Sequence, residues 1–257
     1  MTHISVIGCG NMGGAFITGL HKAGDHTVTA CDVDSDVLDS IAPYCEETTT
    51  ELSVASEADV VVVAVKPDLV GAILQDLDLD SDQTLVSIAA GVSTDRLAPE
   101  TEARVVRIMP NLAAEYGMMA AAATGQVTDE VRAILDAVGE FVEVDEAQMD
   151  IATAVNGSGP AFVFYLIDAM ANAGVEGGLS QANGRTLAAQ TFKGAAETVL
   201  QSEASIDELI DAVCSPNGTT IEGMEVLWDS DVEAELGAAV AAAEERSKEL
   251  ARDADDE

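Results

Sequence analysis

Positive charge is what this chain lacks most. Lysine and arginine together number 11, against 47 aspartates and glutamates, for a net charge of -36. So acidic a surface repels polyanions, which argues against nucleic acid and anionic membranes as partners. Excess acid often signals disorder. Here the acids lie between well-patterned apolar segments, and 48% of the residues are hydrophobic, so a full core is expected. In dilute salt such a charge repels itself. At molar salt the Debye length is about 3 Å and the repulsion is screened. The expected setting is a high-salt cytoplasm, and the expected source a halophilic organism.

Other absences narrow the class. No run of about 18 uncharged apolar residues exists, so no membrane span is expected. No basic region precedes an apolar stretch at the N-terminus, so a signal peptide is not expected either, and the location reads as cytoplasmic. Cys9, Cys31, Cys45 and Cys214 are scattered, without a Cys-x-x-Cys pair. That excludes a metal-binding or disulfide framework. His3, His21 and His26 crowd the N-terminal end and read as structural or solvated. Such a scarcity suits chemistry carried by a cofactor.

What the chain does have begins at once. A short apolar run, Ile4 to Ile7, leads into Gly8-Cys9-Gly10-Asn11-Met12-Gly13 and then into an apolar periodic segment. Strand, glycine turn and helix in this order form the dinucleotide-binding fingerprint. Gly8 allows the tight turn, Gly10 lets backbone approach a pyrophosphate, and Gly13 lets helix pack on strand. Amides at the helix start, including those of Asn11 and Met12, can then hold phosphate. The first helix is expected over 11–23 and a second strand over 27–31. Asp32 follows, where an acid bonds an adenosine ribose 2′-hydroxyl and tilts the choice towards NAD. Asp34 can cap a short helix through Ile41.

Farther along, residues 60–65 read as a central strand. Val65-Lys66-Pro67 lies at its carboxyl end, where open α/β sheets bind ligands. Pro67 starts a helix to about residue 75. Further strands are expected at 84–89, 104–109, 118–123 and 141–144, with helices from Ser93 and over 129–138. The later strands could run in mixed directions. The alternation gives an α/β fold: a doubly wound, Rossmann-type sheet over 1–145. From residue 146 to 257 only helices are expected, over 147–155, 160–173, 181–200, 206–213, 218–228 and 232–252. Gly157-Ser158-Gly159-Pro160 is expected to interrupt the first pair, Ser180 and Ser205 to cap helices, and 253–257 to be a polar tail. A helical segment of this size has little room for a core of its own. Burial against a second copy, in a homodimer, is the expected solution.

Four segments then share a resemblance: the glycine fingerprint, Val65-Lys66-Pro67, Asn156-Gly157-Ser158-Gly159-Pro160-Ala161-Phe162 and Ser215-Pro216-Asn217-Gly218-Thr219-Thr220. Together, in this order and spacing, the chain resembles the pyrroline-5-carboxylate reductase family along its whole length. The resemblance implies a dinucleotide domain followed by a helical dimerisation and substrate domain. It also implies reduction of 1-pyrroline-5-carboxylate to L-proline by NADPH or NADH, and dimers that can assemble further into rings. Met109-Pro110-Asn111 is similar to the family's Met-Pro-Asn-Thr-Pro segment beside the nicotinamide. The chain departs there, with Leu112-Ala113 for Thr-Pro, and again at Asn217, where glycine is usual. Asparagine tolerates a left-handed backbone better than most residues.

The reaction needs a hydride on the ring carbon, a proton on nitrogen and a hold on a small carboxylate. Ser215 to Thr220 opens a helix whose amides and hydroxyls can hold that carboxylate. Ser215, Asn217, Gly218, Thr219 and Thr220 are the expected substrate contacts. By resemblance, Thr220 is the residue near the imine nitrogen, orienting it or relaying a proton. Two rivals use the same layout. One is another two-domain NAD(P)-dependent dehydrogenase, acting on a hydroxy acid through Lys193 or on a deazaflavin. The other is a non-catalytic cofactor-binding paralogue, which Leu112-Ala113 would favour.

Overall fold

The structure, a computed structural model, describes residues 1–255, with side chains as far as Arg252. Of the expected polar tail, Asp256 and Glu257 lie outside the described residues. Two compact units emerge. One is residues 1–158 joined by the C-terminal stretch from Ala241, and the other is Gly159–Val240. The change from strands to helices gave an expected boundary at 145/146. The units divide later because Glu146 and Asn156 bond to the sheet unit, through Thr94, Met109 and Ala120, and the chain's end also returns to that unit. Ser247 Oγ donates to Asp150 Oδ1 at 2.7 Å, and Ala251 backbone packs on Gly91.

The first unit is built on eight strands: β1 His3–Ile7, β2 Thr27–Cys31, β3 Glu47–Thr49, β4 Val60–Val63, β5 Thr84–Ser87, β6 Arg104–Met109, β7 Met119–Gly125 and β8 Gly139–Glu143. Their order is β3-β2-β1-β4-β5-β6-β7-β8. Every pairing is parallel except β6 with β7. The direction is thus mixed late in the sheet, as the sequence allowed.

Strand alternation splits the core between two faces. Ile4, Val6, Val60 and Val62 pack with Phe16, Leu20, Leu38 and Ile134 on one side. Those helical partners belong to α1 Asn11–Ala23, α2 Ser35–Ile41 and α6 Asp129–Asp136. Ile7, Val61 and Val63 pack with Ala55, Val70, Leu74 and Leu97 on the other. These come from α3 Leu52–Ala55, α4 Pro67–Asp76 and α5 Thr94–Leu97. Helices on both faces of a mostly parallel sheet make the fold doubly wound. Burial of a side chain such as Phe16 or Ile17, both fully enclosed, contributes about 2 kcal/mol.

Local signals explain most boundaries. Gly24, at φ 78°, ends α1. Asp34 accepts from the Asp36 amide and starts α2. Thr128 caps α6. The central strand stops at Val63, two residues earlier than expected, because Pro67 sets Lys66 as an extended cap of α4. β3 and α3 had no sequence signal. β3 is three polar residues, Glu-Thr-Thr, at the sheet edge.

Beyond the sheet, residues 149–176 are helical throughout: α7 Met149–Ala152, a π-helical stretch Thr153–Ser158, then α8 Gly159–Glu176. The expected interruption at Gly157–Pro160 is therefore a widened turn and not a break. Pro160 has no amide to give an α-helical bond to the Asn156 carbonyl. That carbonyl accepts instead from Asn111 Nδ2 at 3.1 Å.

The second unit contains α8, α9 Gln181–Gln201, α10 Ile206–Val213, α11 Thr219–Trp228 and the first part of α12 Val232–Asp255. Ser180 and Ser205 cap α9 and α10 as expected. α8 and α9 pack closely, since a Cβ at Gly184 would lie 2.8 Å from the Ala171 carbonyl oxygen. Little else is enclosed. Phe164, Tyr165, Leu187, Val226 and Trp228 are all more than half exposed. So much apolar surface on one unit marks an interaction face.

A partly buried ion pair joins β6 to the turn after β8 and to the start of α5. Arg107 on β6 is 4% exposed and pairs with Glu146. The other Glu146 oxygen accepts from the Thr94 amide and, at 2.7 Å, from its hydroxyl. Removing one partner strands the other charge. Glu146→Ala is expected to lower the unfolding free energy by about 3 kcal/mol, read by denaturant titration at fixed salt. A loss below about 0.5 kcal/mol would mean that water replaces the carboxylate.

Candidate functional site

Strand order reverses between β1 and its neighbours β2 and β4, so a crevice opens at their carboxyl ends. The glycine turn lies there, and each glycine answers to a different neighbour. Gly8 has φ +90°, and a Cβ on it would come within 2.7 Å of the Ala64 carbonyl oxygen. A Cβ on Gly13 would stand 1.9 Å from the Gly8 carbonyl oxygen. Both are required by the protein's own packing. Gly10 is not: nothing of the protein lies within 4 Å of a Cβ placed there, and its φ is -64°. The open space over Gly10 is room for something the chain does not supply, which suits a pyrophosphate.

No side chain caps α1. Its first intrahelical bond runs from the Gly14 amide to the Gly10 carbonyl, which leaves the amides of Asn11, Met12 and Gly13 for a ligand. The residues present therefore fit a dinucleotide. Asp32 follows β2 directly, with its carboxylate fixed from two sides. Oδ2 accepts from the Cys9 amide at 2.7 Å and Oδ1 from the Asp34 amide at 3.0 Å. The thiols nearby are no nucleophiles. Burial, then Asp32, pushes Cys9 up to about 12, and the same two causes, with Glu51, push Cys31 to about 11.

Two of the three histidines make contacts within the sheet unit. His3 Nε2 meets Thr29 Oγ1 at 2.8 Å between β1 and β2, and His21 stacks edge-on to Tyr44. No group of three or more His, Cys, Asp or Glu placed to hold a metal occurs among the described residues.

Val65, Lys66 and Pro67 lie just past β4, with Lys66 exposed at the cap of α4. Met109 ends β6, and Pro110 and Asn111 follow it directly. Asn111 is 8% exposed, and both ends of its side-chain amide are bonded. Its Oδ1 accepts from the amides of Ala113 and Ala120, and its Nδ2 donates to the Asn156 carbonyl. Asn156 returns the link: its Nδ2 donates to the carbonyls of Met109 and Ala120. Asn156 was quoted in the sequence only as the head of a glycine-rich segment. The signal for its role was the proline four residues on, which frees its carbonyl. Ala113 also explains itself. Its amide, which a proline there would lack, bonds Asn111.

Ser215 to Thr220 form a separate feature, in the second unit. The Gly218 amide donates to the Ser215 carbonyl at 2.9 Å, closing a turn. Pro216 occupies its second position, and Asn217, at φ 58°, is the one non-glycine residue with positive φ among the described residues. This matches the type II pattern. A Cβ on Gly218 would come within 2.3 Å of Ser215 Oγ. Thr219 and Thr220 then open α11, which has no side-chain cap. Its leading amides remain free for an anion.

Sheet, crevice and helical unit define a two-domain, nicotinamide-dependent oxidoreductase. Residues 146–250 match the family model of pyrroline-5-carboxylate reductase dimerisation, and residues 3–91 that of coenzyme F420-dependent NADP oxidoreductase. The chain is 39% identical to pyrroline-5-carboxylate reductase from Methanosarcina acetivorans, over 97% of this chain and 98% of that one. It belongs to the pyrroline-5-carboxylate reductase family. Among solved structures, the pyrroline-5-carboxylate reductase of Coxiella burnetii is similar at a TM-score of 0.87 and 32% identity, covering 97% of this chain and 98% of that chain. The Plasmodium falciparum pyrroline carboxylate reductase with NADP bound is similar at 0.83 and 29%, with the same coverage.

The contrast among the glycines gives a test. Gly10→Ala is expected to keep the melting temperature within about 2 °C, because the added methyl meets open space and costs at most tenths of a kcal/mol. It should weaken NAD(P)H binding at least about tenfold, because the methyl enters the phosphate's place. Calorimetric titration beside a melting curve checks both. Unchanged affinity would place the pyrophosphate elsewhere.

Proposed function

We propose that this chain reduces 1-pyrroline-5-carboxylate to L-proline, with NADPH or NADH as the reductant. The observation that carries the reading is the Ser215–Thr220 turn and the uncapped start of α11. In a chain of net charge -36, this turn offers amides and hydroxyls to a small carboxylate without a lysine. With the Gly157–Ala161 segment, it is also a specific part of the family resemblance.

The nicotinamide supplies the hydride when bound. The chain's residues bind and orient. Gly8, Gly10 and Gly13, with the amides of Asn11 and Met12, hold the pyrophosphate. Asp32 holds the adenosine ribose. Val65, Lys66 and Pro67, with Met109, Pro110 and Asn111, line the nicotinamide end. Ser215, Asn217, Gly218 and Thr219 hold the substrate carboxylate, and the Thr220 hydroxyl orients the imine nitrogen. The hydride would go to the ring carbon of the C=N bond, and the Thr220 hydroxyl would lead a solvent proton to the nitrogen. An unperturbed threonine is a poor acid, so its contribution is alignment.

Labour divides between residues 1–145, for the dinucleotide, and 146–257, for dimerisation and substrate. The exposed apolar face of α8, α9 and α11 supports a homodimer, open to further assembly into a ring. The acid excess supports a halophilic source and a cytoplasm rich in salt. The altered Leu112-Ala113 does not favour a decayed site, because Ala113 takes part in the Asn111 hydrogen bonds.

Oxidation of NAD(P)H with 1-pyrroline-5-carboxylate in molar KCl is the primary test. No turnover with either cofactor would overturn the reading, and turnover with a hydroxy acid alone would promote the rival dehydrogenase. Thr220→Ala is expected to lower kcat by about one to two orders of magnitude, and near-normal kcat would remove Thr220 from the chemistry. Lowering the salt should reduce both the melting temperature and the activity, as unscreened repulsion returns. Equal fold and activity without salt would refute the halophilic assignment.

A further inference from the structure

We propose that the adenosine end of the cofactor site selects a free ribose 2′-hydroxyl, so that this chain uses NADH in preference to NADPH, with Asp32 as the selecting residue. The inference rests on the dinucleotide reading above and narrows it. Three observations carry it.

The first is the fixed carboxylate. Asp32 accepts from the Cys9 amide of the glycine turn and from the Asp34 amide, one on each oxygen. Held from both sides, it does not swing aside for a bulky group. A carboxylate has about four lone-pair positions, so two remain. They can accept from a ribose hydroxyl. A phosphate dianion at the same place has no proton to donate and adds like charge.

The second is the missing cation. A 2′-phosphate site needs a lysine or arginine to balance it. Between Lys22 and Lys66 the chain has neither, across the whole stretch that forms β2, α2, β3 and α3. The same stretch carries ten acids: Asp25, Asp32, Asp34, Asp36, Asp39, Glu46, Glu47, Glu51, Glu57 and Asp59.

The third is what lies beside Asp32. Asp34 is held in place as the cap of α2, accepting from the Asp36 amide at 2.9 Å. Val33, between the two acids, is 93% exposed and offers no hydrogen-bonding group on its side chain. The Plasmodium falciparum relative was solved with NADP bound, so family membership does not itself dictate NADH.

Titration of the whole protein in molar KCl tests this without relying on turnover. The probes are NADH, NADPH, AMP and adenosine 2′,5′-bisphosphate, followed by calorimetry and by the rise in melting temperature. NADH is expected to bind about tenfold to a hundredfold more tightly than NADPH, and AMP to stabilise the protein where the bisphosphate does not. Val33→Arg places a guanidinium on an already exposed position, so the fold is retained. It should raise NADPH affinity about tenfold and leave NADH within about twofold. Asp32→Asn should narrow the NADH/NADPH ratio by about tenfold or more, with the melting curve reporting whether it folds.

NADPH binding as tightly as NADH, or a ratio unmoved by Val33→Arg, would overturn the proposal. Absence of imine reduction with both cofactors would instead count against the enzymatic reading, while the titrations would still decide this one.

Discussion

How closely α1 approaches the end of β1 governs the rest of the nucleotide-binding unit. A methyl on Gly13 would stand 1.9 Å from the Gly8 carbonyl oxygen, and one on Gly8 would press on Ala64. With both positions bare, helix and strand touch backbone to backbone. The free amides of α1 are then aimed into the crevice where the strand order reverses. The same approach brings the Cys9 amide to Asp32 and so fixes the far end of the site. The free amides of α1 and the fixed Asp32 carboxylate are thus two consequences of one backbone contact.

Much of this was legible in the sequence, because the signals were local and redundant. The bounds of α1, β2, α2, β6 and α10 follow directly from apolar period, caps and the glycine turn. Asp34, Ser180 and Ser205 cap as expected because their side chains need only their own first turn. What could not be read was set by distant partners. β3 has no apolar pattern of its own and exists because β2 offers it an edge. The π-helical turn at Thr153–Ser158 exists because Asn111, on another element, takes the carbonyl that Pro160 leaves free. The return of α12 to the first unit depends on Asp150 and Gly91, far away in the chain.

The site residues divide in the same manner. Gly8, Gly10, Gly13 and Asp32 were readable because their spacing is itself the motif. Asn111 was readable only by resemblance, and Asn156 not at all as a functional partner. Together these two asparagines join the end of β6, the start of β7 and the π-helical turn through four side-chain bonds to backbone. The packing of Met109 with Ala122 and Met149 backs the same junction with apolar contact.

The acid excess imposes one further condition on the chemistry. A chain of net charge -36 must attract a dinucleotide and a carboxylate, both anionic, against its own field. Lysines placed in the sites would be the direct remedy, and the chain has only four. Helix starts offer a second source of attraction, and α1 and α11 both begin without a side-chain cap. Helix-end dipoles act within a turn's length, while the repulsion from dispersed surface acids is long-ranged and screened by salt. High salt therefore removes the unfavourable part of the field and spares the favourable part.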